Sequence, residues 1–264
     1  MDLHIRKPVQ HGFTPIVEPG QSGAQFITLG LVTLQEGEEY PFSTGDEEKV
    51  GVILTGVCDV RGGDFGWKHA GGRQDVFDGK AAAFYLPPSV DCTITARTRL
   101  SVALAGATTD INAQPAFIEP QDVTVRKVGK ANFRRDVHDV FDDRRHAGRL
   151  IVGETFNPPG NWSSYPPHRH ENDNPPEETK QEEVYFFKFR PRQGFGWQRV
   201  YTDDGRIDES YCVQDGDAVV IPRGYHPVAA APGYELYYLW ILAGETRHLR
   251  PHDDPQHQWI SREQ

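Results

Sequence analysis

Short apolar-rich segments run through most of the chain, and the first of them, FITLGLVTLQ, alternates between apolar and polar residues. In the first half they are residues 26–35, 48–60, 81–87, 90–96 and 100–106. In the second half they are residues 150–155, 184–189, 196–202, 208–213, 217–221 and 234–243. Alternation with a period of two predicts β-strands, and strands at this short, regular spacing predict a sandwich or a barrel. We therefore expect an all-β fold with few short helices.

The remaining segments lack this alternation. Residues 1–25 and the polar tail from residue 245 are predicted to be irregular. Residues 107–135 are predicted to be a connector, because they contain prolines and scattered basic residues. The charged segment 135–148 is predicted to hold one short helical turn.

The two halves contain a diverged repeat. The second half reads DGDAVVIPRGYHPVAAAPGYELYYLWILAG and the first reads DGKAAAFYLPPSVDCTITARTRLSVALAG. Both run from Asp-Gly through an apolar strand and a proline turn to a closing strand. We expect two tandem barrels, formed by residues 1–115 and 116–264. Where the second copy has His226, the first has Val90 or Asp91, and it also lacks a His-x-His pair, so we expect the first barrel to be structural and free of metal.

Composition narrows the class of protein. The 264 residues include 28 Lys and Arg against 38 Asp and Glu, a net charge of −10. An acidic chain without a basic run is a poor partner for nucleic acid or an anionic membrane. The N-terminus has no apolar segment of the signal-peptide type, and the longest apolar run, near residues 236–243, is too short to span a bilayer. The three cysteines are far apart and are expected to be small buried apolar residues in a reducing cytoplasm.

Four side chains in the second half suggest a metal site. His168 and His170 are one residue apart, and residues two apart on a strand point to the same face. Glu183 opens a strand rich in aromatic residues, and His226 follows a Pro-Arg-Gly turn. Three imidazoles and one carboxylate suit a divalent first-row metal ion with positions left for a substrate. The sequence therefore predicts a metal-binding barrel.

These motifs resemble those of the cupins. Cupins carry His-x-His, a short spacer and Glu, followed by a second motif that ends in P-x-G-x-H or P-x-G-x-x-H. Here the spacer between His170 and Glu183 contains the acidic insert ENDNPPEETKQE. Glu182, Glu177 and Glu178 therefore remain alternatives for the carboxylate ligand.

Longer segments resemble one family. GNWSSYPPHRH, EEVYFF, GFGWQRVYTDD and VQDGDAVVIPRGYHPVAAAPGYELYYLWILAG together resemble the 5-deoxy-glucuronate isomerases of myo-inositol catabolism. These are bicupins related to the isomerase that acts on 5-keto-4-deoxyuronate. The resemblance implies two jelly-roll-like cupin barrels and aldose–ketose isomerisation of 5-deoxy-D-glucuronate to 5-dehydro-2-deoxy-D-gluconate. It also implies His168, His170, Glu183 and His226 as the ligands of one divalent ion. We expect zinc, with manganese, iron or nickel as alternatives.

Such a reaction needs an acid–base group and a carboxylate-binding group. Glu171 and Tyr185 are candidates for the proton transfer between C2 and C1. Arg199 and Arg223 are candidates for binding the substrate carboxylate, with Tyr225 as a further substrate contact. Each has a structural alternative: a solvated carboxylate, a packed tyrosine or an exposed salt bridge.

Two other functions compete with the isomerase. A cupin dioxygenase would use the same ligands with iron and would consume oxygen. A metal-free sugar-binding bicupin would lack ligands in both halves. We expect a small sugar acid as the substrate and leave open whether the chain forms a homo-oligomer.

Overall fold

The structure is a computed structural model that describes residues 2–262 and is almost entirely β. The first half contains β1 (His4–Ile5), β2 (Gly12–Val17), β3 (Ile27–Leu34), β4 (Glu39–Ser43), β5 (Glu47–Thr55), β6 (Val57–Gly62), β7 (Phe65–Gly71), β8 (Ala83–Leu86), β9 (Asp91–Ala96), β10 (Leu100–Thr108) and β11 (Ala116–Ile118). The second half contains β12 (Thr124–Val128), β13 (Arg135–Phe141), β14 (Leu150–Asn157), β15 (Trp162–Ser163), β16 (His168–Arg169), β17 (Glu182–Arg190), β18 (Phe195–Tyr201), β19 (Asp208–Gln214), β20 (Ala218–Ile221), β21 (Val228–Ala230), β22 (Glu235–Ala243) and β23 (His252–Asp253). One short helix, α1 (Trp259–Arg262), and three 3-10 turns, Gln21–Gly23, Pro120–Asp122 and Ala131–Phe133, complete the described chain. The predicted all-β fold is confirmed.

Each half is built from one large and one small antiparallel sheet. In the first half the strand orders are β11-β8-β5-β10-β3-β2 and β4-β9-β6-β7. In the second half they are β1-β20-β17-β22-β14-β13-β12 and β15-β21-β18-β19, with β16 paired to β23. The two halves therefore share one strand plan, as the sequence repeat predicts.

The large sheets are buried on both faces. Along β17, Tyr185 and Phe187 point into the interior of the second barrel, whereas Val184 and Phe186 join a core that also contains Val52 of the first half. A third cluster fills the interior of the first barrel. Sheets covered on both faces lack the strict apolar–polar alternation of half-exposed strands. The apolar run of β17 follows from this double burial.

Two buried glutamates tie the halves together reciprocally. Glu48 on β5 accepts hydrogen bonds from the backbone N–H groups of residues 148–150, at 2.6 to 2.8 Å. Glu182 on β17 accepts them from the backbone N–H groups of residues 25–27, at 2.6 to 2.8 Å. Buried carboxylates need such charge-assisted partners. The interface between the halves is therefore specified by polar contacts as well as by apolar packing.

The N-terminus crosses to the second half. Strand β1 pairs with β20, and Asp217 accepts hydrogen bonds from His4 Nε2 at 2.8 Å and from Arg6 Nη2 at 2.8 Å. Burial raises the pKa of Asp217, but the hydrogen bonds from Arg6 and His4 outweigh this and hold it below its ordinary value. At the other boundary, β11 pairs with β8 of the first half. The division of the chain at residues 115 and 116 stays a prediction.

Four segments for which the sequence predicts no strand contain strands, and the tail from residue 245 is one of them, with β23. Within residues 135–148, predicted to hold a helical turn, Arg135–Phe141 form β13, which lies between β12 and β14. That prediction is wrong because the charges of this segment project from a half-buried strand, where Asp139 pairs with Arg126 at 2.7 Å. The predicted connector contains β11 and β12, and residues 12–17 form β2.

The cysteines divide into two kinds. Cys58 and Cys92 are buried, as predicted, whereas Cys212 is exposed because its side chain lies on the outer face of β19. Burial raises the pKa of each of the two buried thiols to about 12. Within residues 2–262 no helix is long and apolar enough to cross a membrane.

Candidate active site

Three buried side chains meet inside the second barrel. The ligand atoms of His170, Glu183 and His226 all lie within 4.8 Å of one another. Glu183 Oε2 is 3.1 Å from His170 Nε2 and 3.2 Å from His226 Nε2. Two imidazole nitrogens and a carboxylate oxygen that converge in a buried space form a donor set suited to a divalent transition metal.

Local backbone geometry places each of these residues. Glu183 is the second residue of β17 and shares its inward face with Tyr185. His226 follows Gly224, whose φ of 93° lies in the left-handed region. A Cβ atom at Gly224 would lie 2.5 Å from the carbonyl oxygen of Tyr201, so only glycine fits this turn.

Backbone carbonyls orient two of the imidazoles. His170 Nδ1 donates to the carbonyl oxygen of Gln181 at 2.8 Å, and His226 Nδ1 donates to that of Gly224 at 2.9 Å. Donation from Nδ1 leaves the lone pair on Nε2, the atom that faces Glu183. His226 Nε2 is buried and has no aligned hydrogen-bond partner in the described part of the chain, although Glu183 Oε2 is close. A buried imidazole nitrogen without an aligned partner, next to a carboxylate, is suited to bind a cation.

Protonation differs between the two imidazoles. Burial lowers the pKa of His226 to about 3, so this ring is neutral at neutral pH and able to act as a ligand. Burial also lowers the pKa of His170, but the hydrogen bond and charge of Glu183 outweigh it and leave this pKa raised. A proton on His170 and a bound metal ion would thus each compensate the negative charge of Glu183.

His168 stands beside this group rather than within it. Its ring centroid is 4.9 Å from that of His226 and 6.4 Å from that of His170. Burial lowers the pKa of His168 to about 3, so it too is neutral. Strand β16 ends at Arg169, so the two histidines are not placed by one regular strand as the sequence argument assumed. His168 is therefore a neighbour of the three-residue group, with its ring closer to His226 than to His170.

The alternative carboxylates are engaged elsewhere. Glu182 points to the opposite face of β17 and binds the backbone of residues 25–27. Glu178 accepts hydrogen bonds from the backbone N–H groups of Glu171 and Asn172, at 2.7 and 3.0 Å. Glu177 is exposed. Among these candidate carboxylates, Glu183 is therefore the one with an oxygen beside His170 and His226.

A cavity of about 350 Å³ opens beside the site. His168 and Glu183 line it together with Tyr185 and Tyr238. The Tyr185 hydroxyl is 2.6 Å from Ser164 Oγ, and the Tyr238 hydroxyl is 2.5 Å from Ser163 Oγ. Further lining residues are Arg126, Val128, Gly129, Arg135, Val137, Thr155, Tyr165, Pro166, Trp240, Leu242, Leu249, Pro251, Asp253 and Ser261. The volume suits a small polar molecule.

Of the predicted substrate and catalytic residues, only Tyr185 lies at this cavity. Arg199 is exposed and pairs with Asp208 at 2.8 Å, because the alternate residues Gln198 and Val200 face inward on β18. Arg223 pairs with Asp204 at 3.2 Å. Together with Glu171 it lines a separate cavity. Tyr225 is buried, and the guanidinium of Arg169 lies 5.3 Å from its ring centroid.

Several cavity residues were missed by the sequence analysis. Arg135 lies where the predicted connector, residues 107–135, meets the charged segment predicted to hold a helical turn, and the structure places it on β13. Ser163 and Ser164 come just before the His-x-His pair and have no signal of their own. Asp253 lies on β23, in the tail predicted to be irregular, and pairs with His168 on β16. Only the three-dimensional fold brings these residues to the cavity.

Comparison with known proteins gives the family. The protein-family model of the KduI/IolB family matches residues 4–260. The chain belongs to the KduI/IolB family. A relative from Geobacillus kaustophilus is 39% identical over 255 residues, covering 96% of this chain and 92% of that protein. One from Bacillus subtilis strain 168 is 34% identical over 268 residues, covering 98% and 99%. Both are named 5-deoxy-glucuronate isomerase, which confirms the predicted family and the predicted class of enzyme, an aldose–ketose isomerase.

Solved structures show the same architecture as this KduI/IolB member. An IolB-like protein from Salmonella typhimurium LT2 superposes with a TM-score of 0.95 at 33% identity, covering 99% of this chain and 100% of that one. An oxalate decarboxylase from Lactobacillus farciminis superposes with a TM-score of 0.67 at 12% identity, covering 99% and 88%. Bacillus subtilis oxalate decarboxylase, described with Mn(II) centres, gives 0.63 at 12% identity, covering 96% and 79%. The predicted tandem cupin fold is confirmed.

The repeat shows what the first barrel carries at the corresponding positions. Lys49 pairs with Leu86 as Glu183 pairs with Ile221, so Lys49 occupies the position of the carboxylate. Lys49 forms an ion pair with Glu47 at 2.5 Å. Five residues after Leu86, as His226 is five after Ile221, the first barrel has Asp91. A cation site in this KduI/IolB chain is therefore supported in the second barrel.

Proposed function

We propose that this chain is a metal-dependent aldose–ketose isomerase that converts 5-deoxy-D-glucuronate into 5-dehydro-2-deoxy-D-gluconate in inositol catabolism. The observation that carries the proposal is the buried group of His170, Glu183 and His226 beside a cavity of about 350 Å³. The names of the full-length relatives supply the substrate. We further propose that the enzyme acts in the cytoplasm on this small sugar acid, without a nucleic-acid partner.

His168, His170, Glu183 and His226 would hold one divalent ion. We expect zinc, with manganese, iron or nickel as alternatives, because each suits imidazole and carboxylate ligands. The fit rests on the orphaned Nε2 of His226 and on the two Nδ1 atoms that backbone carbonyls fix as donors. When bound, the ion supplies Lewis acidity at oxygen atoms of the substrate.

The protein must also move a proton. In the reaction C2 loses a proton and C1 gains one, while the C1 carbonyl becomes a hydroxyl and the C2 hydroxyl becomes a carbonyl. Glu183 and Asp253 are the carboxylates that line the cavity in the described chain. With Glu183 assigned to the ion, Asp253 is the base we propose for the transfer between the two carbons.

Tyr185 is suited to hold a proton at the substrate oxygen. Burial raises the pKa of its hydroxyl well above the ordinary value, so the group stays protonated at neutral pH. Ser164, 2.6 Å away, fixes the direction of the hydroxyl. When Ser164 donates to the Tyr185 oxygen, the phenolic proton is left to donate a hydrogen bond into the cavity. Glu171, the other predicted proton-transfer residue, does not line this cavity.

A coupled assay tests the proposal directly. Purified protein is assayed on 5-deoxy-D-glucuronate before and after removal of metal by a chelator, and after addition of each of the four ions. We expect activity to follow metal content, with no consumption of oxygen on an oxygen electrode. Unchanged turnover in metal-free protein would exclude metal dependence, and lack of turnover by fully loaded protein would exclude this substrate.

A variant adds a structural check. His226→Ala is expected to abolish metal binding and isomerisation while the protein remains folded, because His226 contributes an orphaned nitrogen rather than a needed hydrogen bond at Nε2. Circular dichroism and the unfolding temperature monitor the fold. Full metal content in this variant would remove His226 from the ligand set.

A further inference from the structure

Arg135 is a buried cation in the wall of the cavity. It is the first residue of β13, and only 8% of its surface is exposed. One of its terminal nitrogens, Nη1, donates to the carbonyl oxygens of Phe133, at 3.1 Å, and Tyr165, at 3.0 Å. These two contacts hold the guanidinium in one orientation.

Unlike a comparable arginine, Arg135 has no acidic partner. Arg73 is equally buried, but Glu154 pairs with it at 2.6 Å. Within residues 2–262 no carboxylate lies within ion-pair distance of Arg135, and its Nε and Nη2 atoms donate to no protein acceptor. Burying an unpaired charge is costly. A fold that retains such a charge leaves room for an anion from outside the chain.

Arg135 is part of the wall of the candidate active site. Arg135 lines the same cavity as His168, Glu183 and Tyr185. Arg126 also lines the cavity, but Asp139 already binds it through two contacts at 2.7 and 2.8 Å. Arg135 is therefore the uncompensated cation of this cavity in the described chain.

We infer that Arg135 binds the carboxylate of the sugar acid and so selects uronates over neutral sugars. The inference rests on the proposed function and deepens it. A planar guanidinium with free Nε and Nη2 atoms matches a carboxylate through two parallel hydrogen bonds. With its carboxylate on Arg135, the substrate directs its other end toward His168 and Glu183. Arg135 is thus a specificity residue that orients the sugar and does not take part in proton transfer.

The test compares charged and neutral sugars. Wild type, Arg135→Gln, Arg135→Lys and the control Arg199→Gln are assayed on 5-deoxy-D-glucuronate and on 5-deoxy-D-glucose, its neutral counterpart. We expect Arg135→Gln to raise KM for the uronate by about 30-fold or more, the cost of removing one partner of a buried charged pair. KM for the neutral sugar should change by less than about 3-fold, within the range of uncoupled surface changes.

The lysine variant separates charge from geometry. It keeps the positive charge but presents a single ammonium, so we expect a KM for the uronate between those of wild type and Arg135→Gln. The control, whose guanidinium pairs with Asp208 outside the cavity, should match wild type on both sugars. Equal increases for the charged and the neutral sugar in Arg135→Gln, or no increase for either, would overturn the inference.

A binding measurement keeps this test independent of the reaction. Calorimetry compares D-glucuronate with D-glucose on metal-loaded wild type and Arg135→Gln, with metal content and unfolding temperature recorded for each protein. We expect the preference for D-glucuronate to disappear in the variant. If wild type fails to isomerise 5-deoxy-D-glucuronate but shows this charge preference, the proposed function fails and the role of Arg135 stands. If wild type isomerises the substrate and both proteins bind the two sugars alike, only Arg135 fails.

Discussion

Two neighbouring glutamates on β17 are expected to have opposite roles. Glu183 points into the second barrel, where its Oε2 atom is 3.1 Å from His170. Glu182 points to the other face and accepts three backbone hydrogen bonds from residues 25–27 of the first half. Because the substitution is isosteric, Glu182→Gln and Glu183→Gln form a matched pair. We expect the first to lower stability and keep the metal, and the second to lose the metal and keep the fold.

The contacts of Glu182 set the size of the effect. Its Oε1 atom accepts from the N–H groups of Phe26 and Ile27, and its Oε2 atom accepts from that of Gln25. Glutamine keeps one oxygen, so at least one N–H group loses its acceptor, at about 1–3 kcal/mol. The remaining bonds change from charged to neutral acceptors, at about 1 kcal/mol each. The sum, about 3–5 kcal/mol, corresponds to a fall of about 6–20 °C in the unfolding temperature.

Calorimetry and metal analysis test the expected roles of Glu182 and Glu183. Unfolding is measured on chelator-treated proteins, because bound metal would itself raise the unfolding temperature. Metal content is measured on the proteins as purified. Glu182→Gln should unfold early with a full complement of metal, and Glu183→Gln should unfold within a few degrees of wild type with little metal. The reverse pattern would assign the ligand to Glu182 and refute the argument from strand faces.

Other consequences can be checked in parallel. Asp253→Asn should lower kcat on 5-deoxy-D-glucuronate by about 100-fold or more at unchanged metal content; full activity would remove Asp253 as the base. A thiol reagent at neutral pH should label Cys212 rapidly, and Cys58 and Cys92 only on unfolding, because burial raises their pKa to about 12. In urea unfolding, the stability that Asp217→Asn loses should be present at pH 7 and should shrink as the pH falls below the ordinary pKa of an aspartate. The reason is that a carboxylate with a lowered pKa stabilises the fold above its unfolded pKa and ceases to do so as pH falls through its folded pKa. A difference that persists at low pH would contradict this.

The strands that the sequence predicts correctly are those whose burial is regular. Residues 100–106 are apolar almost throughout and lie in β10, which is buried on both faces and pairs with strands on both sides. Strand β13 was missed because it is second from the edge of its sheet and keeps charged residues such as Asp136 and Asp139 on a half-buried surface. The charges predict an irregular segment with one helical turn there, and tertiary pairing overrides that local preference. Because the sequence does not predict β13, it also does not indicate that Arg135, the first residue of this strand, lies at the cavity.

The sequence also predicts some residues of the candidate site correctly and misplaces others. His170, Glu183 and His226 carry local signals, a His-x-His pair, an aromatic strand and a Pro-x-Gly turn, and the structure brings them together. Arg199 has a comparable local signal because it lies on a strand with Trp197 and Tyr201, two residues away on either side. Parity along a strand shows which residues share a face but not which face is inside. On β18 the inner face belongs to Gln198 and its alternate neighbours, so Arg199 lies outside.

The geometry of the site depends on the half of the chain that supplies none of its ligands. Strand β17, which carries Glu183, is fixed on its outer face by residues 25–27 and by the core shared with β5. Strand β20, which leads to His226, pairs with β1 from the N-terminus. A metal site tolerates displacements of only a fraction of an ångström. The first barrel, with Lys49 at the position that corresponds to Glu183, therefore supports the candidate active site by holding two of its strands in place.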